Sequence, residues 1–152
     1  MPLPTTPTEA DYLANFLRTT VGISTAALPD SNVAIDTSYN LALETVNPLI
    51  NAVSPVLYVQ AVYNLAVDIL YNIAQDTGSS TYFTDARKTW NIFGFVAGVV
   101  STASDNGTGD SLVVPDSLSQ LTLADLQNLK TPWGRAYLAI AQKWGPDLFG
   151  IS

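Results

Sequence analysis

The chain has 152 residues, 47% of them hydrophobic and only 12% charged, and its formal net charge is −7. That balance argues against a disordered chain, which needs low hydrophobicity and high charge, and six scattered cations argue against a phosphate-gripping stripe for nucleic acid. With no Cys and no His, there are no disulfides, no thiolate nucleophile, and neither the commonest general base nor the commonest metal ligand.

The elements follow in chain order. Thr6 caps, Pro7 suits a first helical position and Glu9 completes a capping box, so a helix is predicted over Pro7 to Thr19. Ala10, Leu13, Phe16 and Leu17 form its apolar side, and Gly22 turns the chain. A second helix runs from Ser31 to Val46, with Tyr39, Leu41, Ala42, Leu43 and Val46 inward. Pro48 ends it, because Asn47 before a proline is pushed out of the α region.

Ser54-Pro55 opens the longest segment, to about Asp76. Gln60, Asn64, Asp68 and Asn72 recur every fourth residue as one narrow polar stripe. Apolar side chains cover the rest, which is the pattern of a central helix wrapped by neighbours. The stripe is read as a solvated edge, with a channel lining or an inter-subunit seam as the sharper alternative. A membrane span is the rival reading of the whole segment, but Asp68 near its centre is costly in lipid and basic anchors are missing, so no membrane partner is expected.

Gly78-Ser79-Ser80 is a break, followed by a short helix from Thr81 to Asn91. Residues 92–114 then change character. Two apolar, β-branched runs flank the tip Asp105-Asn106-Gly107-Thr108-Gly109-Asp110, which predicts a β-hairpin or a projecting extended loop. A helical stretch over Leu118 to Leu129 leads to Thr131-Pro132, the start of a last helix to about Lys143. Trp133, Ala136, Tyr137, Ile140, Ala141 and Trp144 mark its inner face. Gly145-Pro146 is expected to stop it, leaving residues 145–152 as a C-terminal arm. The fold class is therefore mainly α: one domain over 1–152, a bundle of about five helices with a hairpin-like excursion and an extended arm.

Little in this sequence carries chemistry. No Walker loop, G-x-S-x-G or G-x-G-x-x-G occurs, and no cofactor or metal site is expected. Asp105 to Asp110 lack the spacing and the bidentate Glu of a calcium loop, and read as a turn. The sequon Asn106-Gly107-Thr108 has no role without export, and Met1-Pro2-Leu3-Pro4 lacks the features of a secretory signal. Asp76 and Asp85 form a conceivable acid/base pair for glycoside hydrolysis, a minor alternative. Trp90, Trp133 and Trp144 read as core aromatics before they read as a stacking platform.

Three stretches carry a resemblance. They are Val46-Asn47-Pro48 with Ser54-Pro55 and Tyr63-Asn64-Leu65-Ala66; Arg87-Lys88-Thr89-Trp90-Asn91-Ile92 with Gly94-Phe95-Val96; and Leu121 to Leu129 with Lys130-Thr131-Pro132-Trp133-Gly134-Arg135. In these, over about two-thirds of its length, the chain resembles the head-to-tail connectors, or adaptors, of short-tailed bacteriophages. The resemblance implies a helical subunit made in the host cytoplasm and placed at the head-tail junction of the virion. It implies a ring of copies of itself, usually twelve, that binds the portal protein, supports the tail tube or nozzle protein and extends the DNA channel. Genome DNA would pass without specific binding, as an acidic wall allows. Leu148, Phe149 and Ile151 would be the portal or subunit interface, and Asp105, Asn106, Gly107 and Asp110 the tail-facing loop. Another tail-completion or stopper protein is the nearest alternative. On this reading, deleting Asp147 to Ser152 leaves a folded chain that no longer assembles, checked by co-purification with the partner; a truncated chain that still joins it rules out docking through the arm.

Overall fold

The computed structural model describes residues 3–92, 103–105, 108–110 and 130–148, with the backbone alone at 103–105, 108–110 and 144–148. It is mainly helical. α1 (Glu9–Asp11) continues into a π-helix (Tyr12–Val21), followed by α2 (Val33–Thr45), α3 (Ile50–Val53), α4 (Pro55–Ile73) and α5 (Tyr82–Thr89). A two-stranded ladder, β1 (Ala103–Asp105) and β2 (Thr108–Asp110), precedes α6 (Pro132–Leu148). α2 and α6 make the broadest contacts with α4, and α3, α5 and the π-helix also pack against it.

The first helix departs from the expected one. Its cap is Thr8, whose hydroxyl accepts from Asp11 N–H at 3.1 Å. From Tyr12 the turns widen to i→i+5 bonding, and the Thr19 and Thr20 hydroxyls reach back to the carbonyls of Ala14 and Asn15. This moves the inner face. Tyr12, Phe16 and Leu17 are buried, Leu13 and Val21 are half-buried, and Ala10 is exposed. A 3.6-residue period cannot bring positions 12, 16, 17 and 21 together; the longer period does. Gly22 closes the helix at φ 86°, a left-handed conformation open to glycine at little cost. Gly22 N–H and Ile23 N–H both bond the Leu17 carbonyl at 3.0 Å. Arg18 pins the following loop, donating to Ile23 O and Leu28 O and pairing with Asp30.

α2 is capped by Asn32, whose side chain accepts from Ala34 N–H at 2.8 Å. Its buried face is Ile35, Ser38, Tyr39 and Ala42, with Val46 just past its end, an i, i+3, i+4, i+7, i+11 series. Leu41, expected inside, is 49% exposed, and Leu43 is half-buried.

α4 is the axis of the bundle. Ser54 accepts from Leu57 N–H, and Pro55 takes the first position, where its missing N–H costs nothing. Val59, Ala61, Val62, Ala66, Val67, Leu70 and Tyr71 have no exposed surface. By length and composition this helix could cross a membrane, and most of it is buried in the bundle.

Two aromatic groups sit about 12 Å apart along α4, one centred on Tyr63 and one on Tyr71. Tyr63 meets Tyr12 at 5.7 Å and Phe16 at 5.4 Å, and Tyr12 stacks on Tyr39. The buried Tyr12 hydroxyl bonds Ser38 Oγ, which itself donates to Ile35 O. Tyr71 stacks on Trp133, with 5.1 Å between centroids and 13° between planes, and meets Trp90 edge-on at 4.9 Å. Phe83 and Tyr82 close the group, and the Tyr71 and Tyr82 hydroxyls lie 2.7 Å apart. Trp90 and Trp133 are thus core-forming aromatics that join α4, the end of α5 and α6.

α5 begins on Asp76, whose carboxylate accepts from Phe83 N–H, Thr84 N–H and the Thr84 hydroxyl. α6 begins on Thr131, as the sequence predicts. Its buried side is Gly134 and Leu138, a rotation from the expected face on which Ala136 is exposed and Trp133, Tyr137, Ile140 and Ala141 are half-buried. The expected stop at Gly145-Pro146 is also corrected, because the helical backbone continues to Leu148. Proline's φ suits a helix and its missing N–H removes one bond, which weakens a last turn without forbidding it. The arm expected from 145 therefore yields its first four residues to α6, and residues 149–152 lie outside the described residues. Leu118 to Leu129, read as helical, lies outside them as well.

Tyr71→Ala should cost about 3–5 kcal/mol, the usual cost of deleting a large buried aromatic, while Tyr71→Phe should cost about 1 kcal/mol for its hydroxyl bond. Urea unfolding followed by tryptophan fluorescence checks both values, and near-equal losses would show that the rings contribute little.

Candidate functional site

The middle of the polar stripe of α4 is buried, where the sequence reading expects a solvated edge. Asn64 is 9% exposed and Asp68 2% exposed, both under neighbouring elements. Their isolation follows from α6 crossing this face of α4. The amides satisfy themselves locally: Asn64 Nδ2 donates to Gln60 O and Asn72 Nδ2 to Asp68 O, each at 2.7 Å. Gln60 and Asn72 are half-buried.

Asp68 reaches across to α6. Thr131 Oγ1 donates to Asp68 Oδ1 at 2.5 Å and accepts from Gly134 N–H at 2.9 Å. One hydroxyl thus caps the N-terminus of α6 and ties it to a buried carboxylate, whose charge also suits the positive end of that helix. Burial pushes the Asp68 carboxyl up to about 6, and the Thr131 bond opposes part of that rise. No charge lies among the causes of the shift. Beside it, Lys130 is occupied with the Asn91 and Ile92 carbonyls, and Arg135 is exposed.

Lys130 has its own structural task. Its Nζ donates to Asn91 O at 2.9 Å and to Ile92 O at 3.1 Å. Two points 38 residues apart in the sequence, Ile92 and Lys130, are thereby clasped together. Within the excursion the ladder pairs Ala103 with Asp110, Ser104 with Gly109 and Asp105 with Thr108. Asp105 and Asp110 therefore end opposite strands of an antiparallel ladder, which falls largely on the stretch that the sequence reading assigns to the turn tip. The linking Asn106 and Gly107 lie outside the described residues, and so do the apolar runs on either side.

The remaining candidates separate. Leu148 is the last helical residue of α6, and Phe149 and Ile151 lie outside the described residues. Asp76 is spent on capping α5. Its pKa is lowered by the Thr84 hydroxyl first; lost hydration, the next largest effect, opposes this, and the Phe83 and Thr84 N–H groups and the Arg87 charge add to the lowering. Asp85 accepts from Thr81 Oγ1 at 2.9 Å. A depressed, fully engaged carboxylate is a poor general acid at neutral pH. Among the described residues no three His, Cys, Asp or Glu side chains gather as a metal site.

Sequence reasoning missed a cleft of about 400 Å3 between the N-terminal segment, the π-helix and α4. Leu3, Pro4 and Phe16 give it apolar walls; Asp11, Asn15, Thr20, Gln60 and Tyr63 give it polar groups. Tyr63 donates to Asp11 Oδ2 at 2.8 Å, and Asn15 Nδ2 donates to Asp11 Oδ1 at 2.5 Å. Loss of hydration raises the Tyr63 pKa above the ordinary phenol value, so it stays a donor. The signal was hidden because Asn15, Phe16 and Thr20 line one surface only when the helix is wide. No family model, curated protein or solved structure matches the chain.

The linkage at Asp68 has a definite sign. Its folded pKa of about 6 lies above the 3.8 of an ordinary aspartate, so the neutral acid favours the fold. The stability it contributes is complete below about pH 4 and is lost as pH rises through about 6, by at most about 3 kcal/mol. Asp68→Asn keeps the acceptor for Thr131 and removes the charge. It should be more stable than the parent by about 1–2 kcal/mol at pH 8, with the difference shrinking towards pH 4. Urea unfolding at both pH values measures it, and a pH-independent difference contradicts the assignment.

Proposed function

We propose that the chain is a structural subunit that assembles by burying apolar surface, a head-to-tail adaptor that forms a ring under a phage portal and carries the tail. The observation that supports this most is a corner of the bundle where α2, α3 and α4 follow one another. Leu41 is 49% exposed, Leu49 44% and Val53 41%, with Val33 at 74% further along α2. Large apolar side chains left in water along neighbouring elements offer a surface that a neighbour can cover. Asn47, at the same corner, has a solvent-shielded Nδ2 with no acceptor among the described residues. A charged share of 12% fits a subunit much of whose surface is covered.

The stretches that resemble phage adaptors also have a common place. Tyr63 to Ala66 lie in α4, Arg87 to Ile92 end α5, and Lys130 to Arg135 open α6. Arg87 Nε donates to Tyr71 O, Lys130 holds Asn91 and Ile92, and Trp90 packs on Trp133. These phrases are the joints of the bundle, so the likeness favours a shared layout. Portal and tail partners are part of the proposal on the same footing. The hydrolase alternative draws no support from Asp76, whose carboxylate is engaged in a cap.

Sedimentation of the full chain with the portal protein tests the reading. The expected result is co-sedimentation as a ring, and a chain that stays apart from the portal refutes it. Leu41→Ser, Leu49→Ser and Val53→Ser together should weaken assembly at least tenfold, since each buried side chain contributes roughly 1.5–3 kcal/mol. Helical circular dichroism should be unchanged.

A further inference from the structure

The cleft beside the π-helix has a charge pattern that selects its ligand. Among the described lining residues Asp11 is the one acidic side chain, and none is Lys or Arg. Phe16 and Tyr63, both core residues, back it as an apolar floor. Asp11 is held from both sides by Asn15 and Tyr63, and each of its oxygens keeps further acceptor capacity. The bond to Asp11 fixes the Asn15 amide and leaves its Oδ1 as an acceptor. The Gln60 side chain lines the cleft and makes no hydrogen bond among the described residues, which leaves Oε1 as another.

A carboxylate and neutral amide acceptors beside an apolar wall form a receptor for an organic cation. We propose that this cleft recognises a guanidinium group, the side chain of an arginine presented by a protein partner. A planar fork can bond Asp11 and an amide oxygen together through N–H groups set in one plane, which the compact ammonium of lysine cannot do. The π-helix is what makes the receptor, because its wide turns set Asn15, Phe16 and Thr20 along one wall. The cleft would serve this purpose whether or not the chain forms a ring.

The test is a titration of the isotope-labelled full chain with acetyl-Gly-Arg-Gly-amide, read by NMR. A peptide with citrulline in place of arginine keeps the shape and removes the charge. The side-chain amide signals of Asn15 and Gln60 should move, and the arginine peptide should bind about tenfold more tightly than the citrulline one. Asp11→Asn should lose about tenfold in affinity. Because Asp11 also anchors Tyr63, Gln60→Ala serves as a second variant, with affinity reduced several-fold and thermal unfolding unchanged. Glu44→Gln, on the exposed side of α2, should bind as the parent does. Equal binding of the arginine and citrulline peptides, an equal response to a lysine peptide, or signals that move only elsewhere would each overturn the assignment.

Discussion

The hydrogen bond from Thr131 to Asp68 joins the middle of the central helix to the beginning of the last one. Burying a carboxylate is expensive, and one hydroxyl offsets only part of that cost. The expense is tolerated because the same hydroxyl receives the Gly134 N–H that α6 would otherwise leave unsatisfied. Displacing either partner leaves two buried polar groups without one another. The geometry therefore sets where α6 starts and how it is rotated on α4, a specificity that apolar packing alone would supply less sharply.

The ring cluster around Tyr71 uses that placement. Trp133 is two residues beyond Thr131, so fixing the cap also fixes the indole that stacks on Tyr71. Trp90 arrives from the other side at the end of α5, and Arg87 reaches the Tyr71 carbonyl from the same helix. Two helices, α5 and α6, are thereby referred to one residue of α4. At the other end of α4, Tyr63 does the same for the N-terminal helix through Thr8 and Asp11.

The mainly helical class, the Ser54-Pro55 and Thr131-Pro132 starts and the hairpin around Asn106-Gly107 were legible because each rests on local chemistry. Caps, imino acids and turn residues act within a few positions, so reading them needs no tertiary knowledge. Tyr12 and Asp68 were not legible in the same way. Tyr12 was lost because an α-helical period was assumed where the turns are wider. Asp68 was placed in water because nothing near it in sequence names its partner, which lies in another helix. Leu41 was placed inside because an apolar side chain can equally be kept for a neighbour.

The Lys130 clasp has a consequence for how the chain can change over time. Residues 92 and 130 meet at one ammonium group, so the two ends of the intervening segment are held together whatever its length. The entropy of closing such a loop grows logarithmically, about 0.6 kcal/mol for each doubling of its length. As far as closure entropy goes, a change in the number of residues between those two ends therefore costs the fold little.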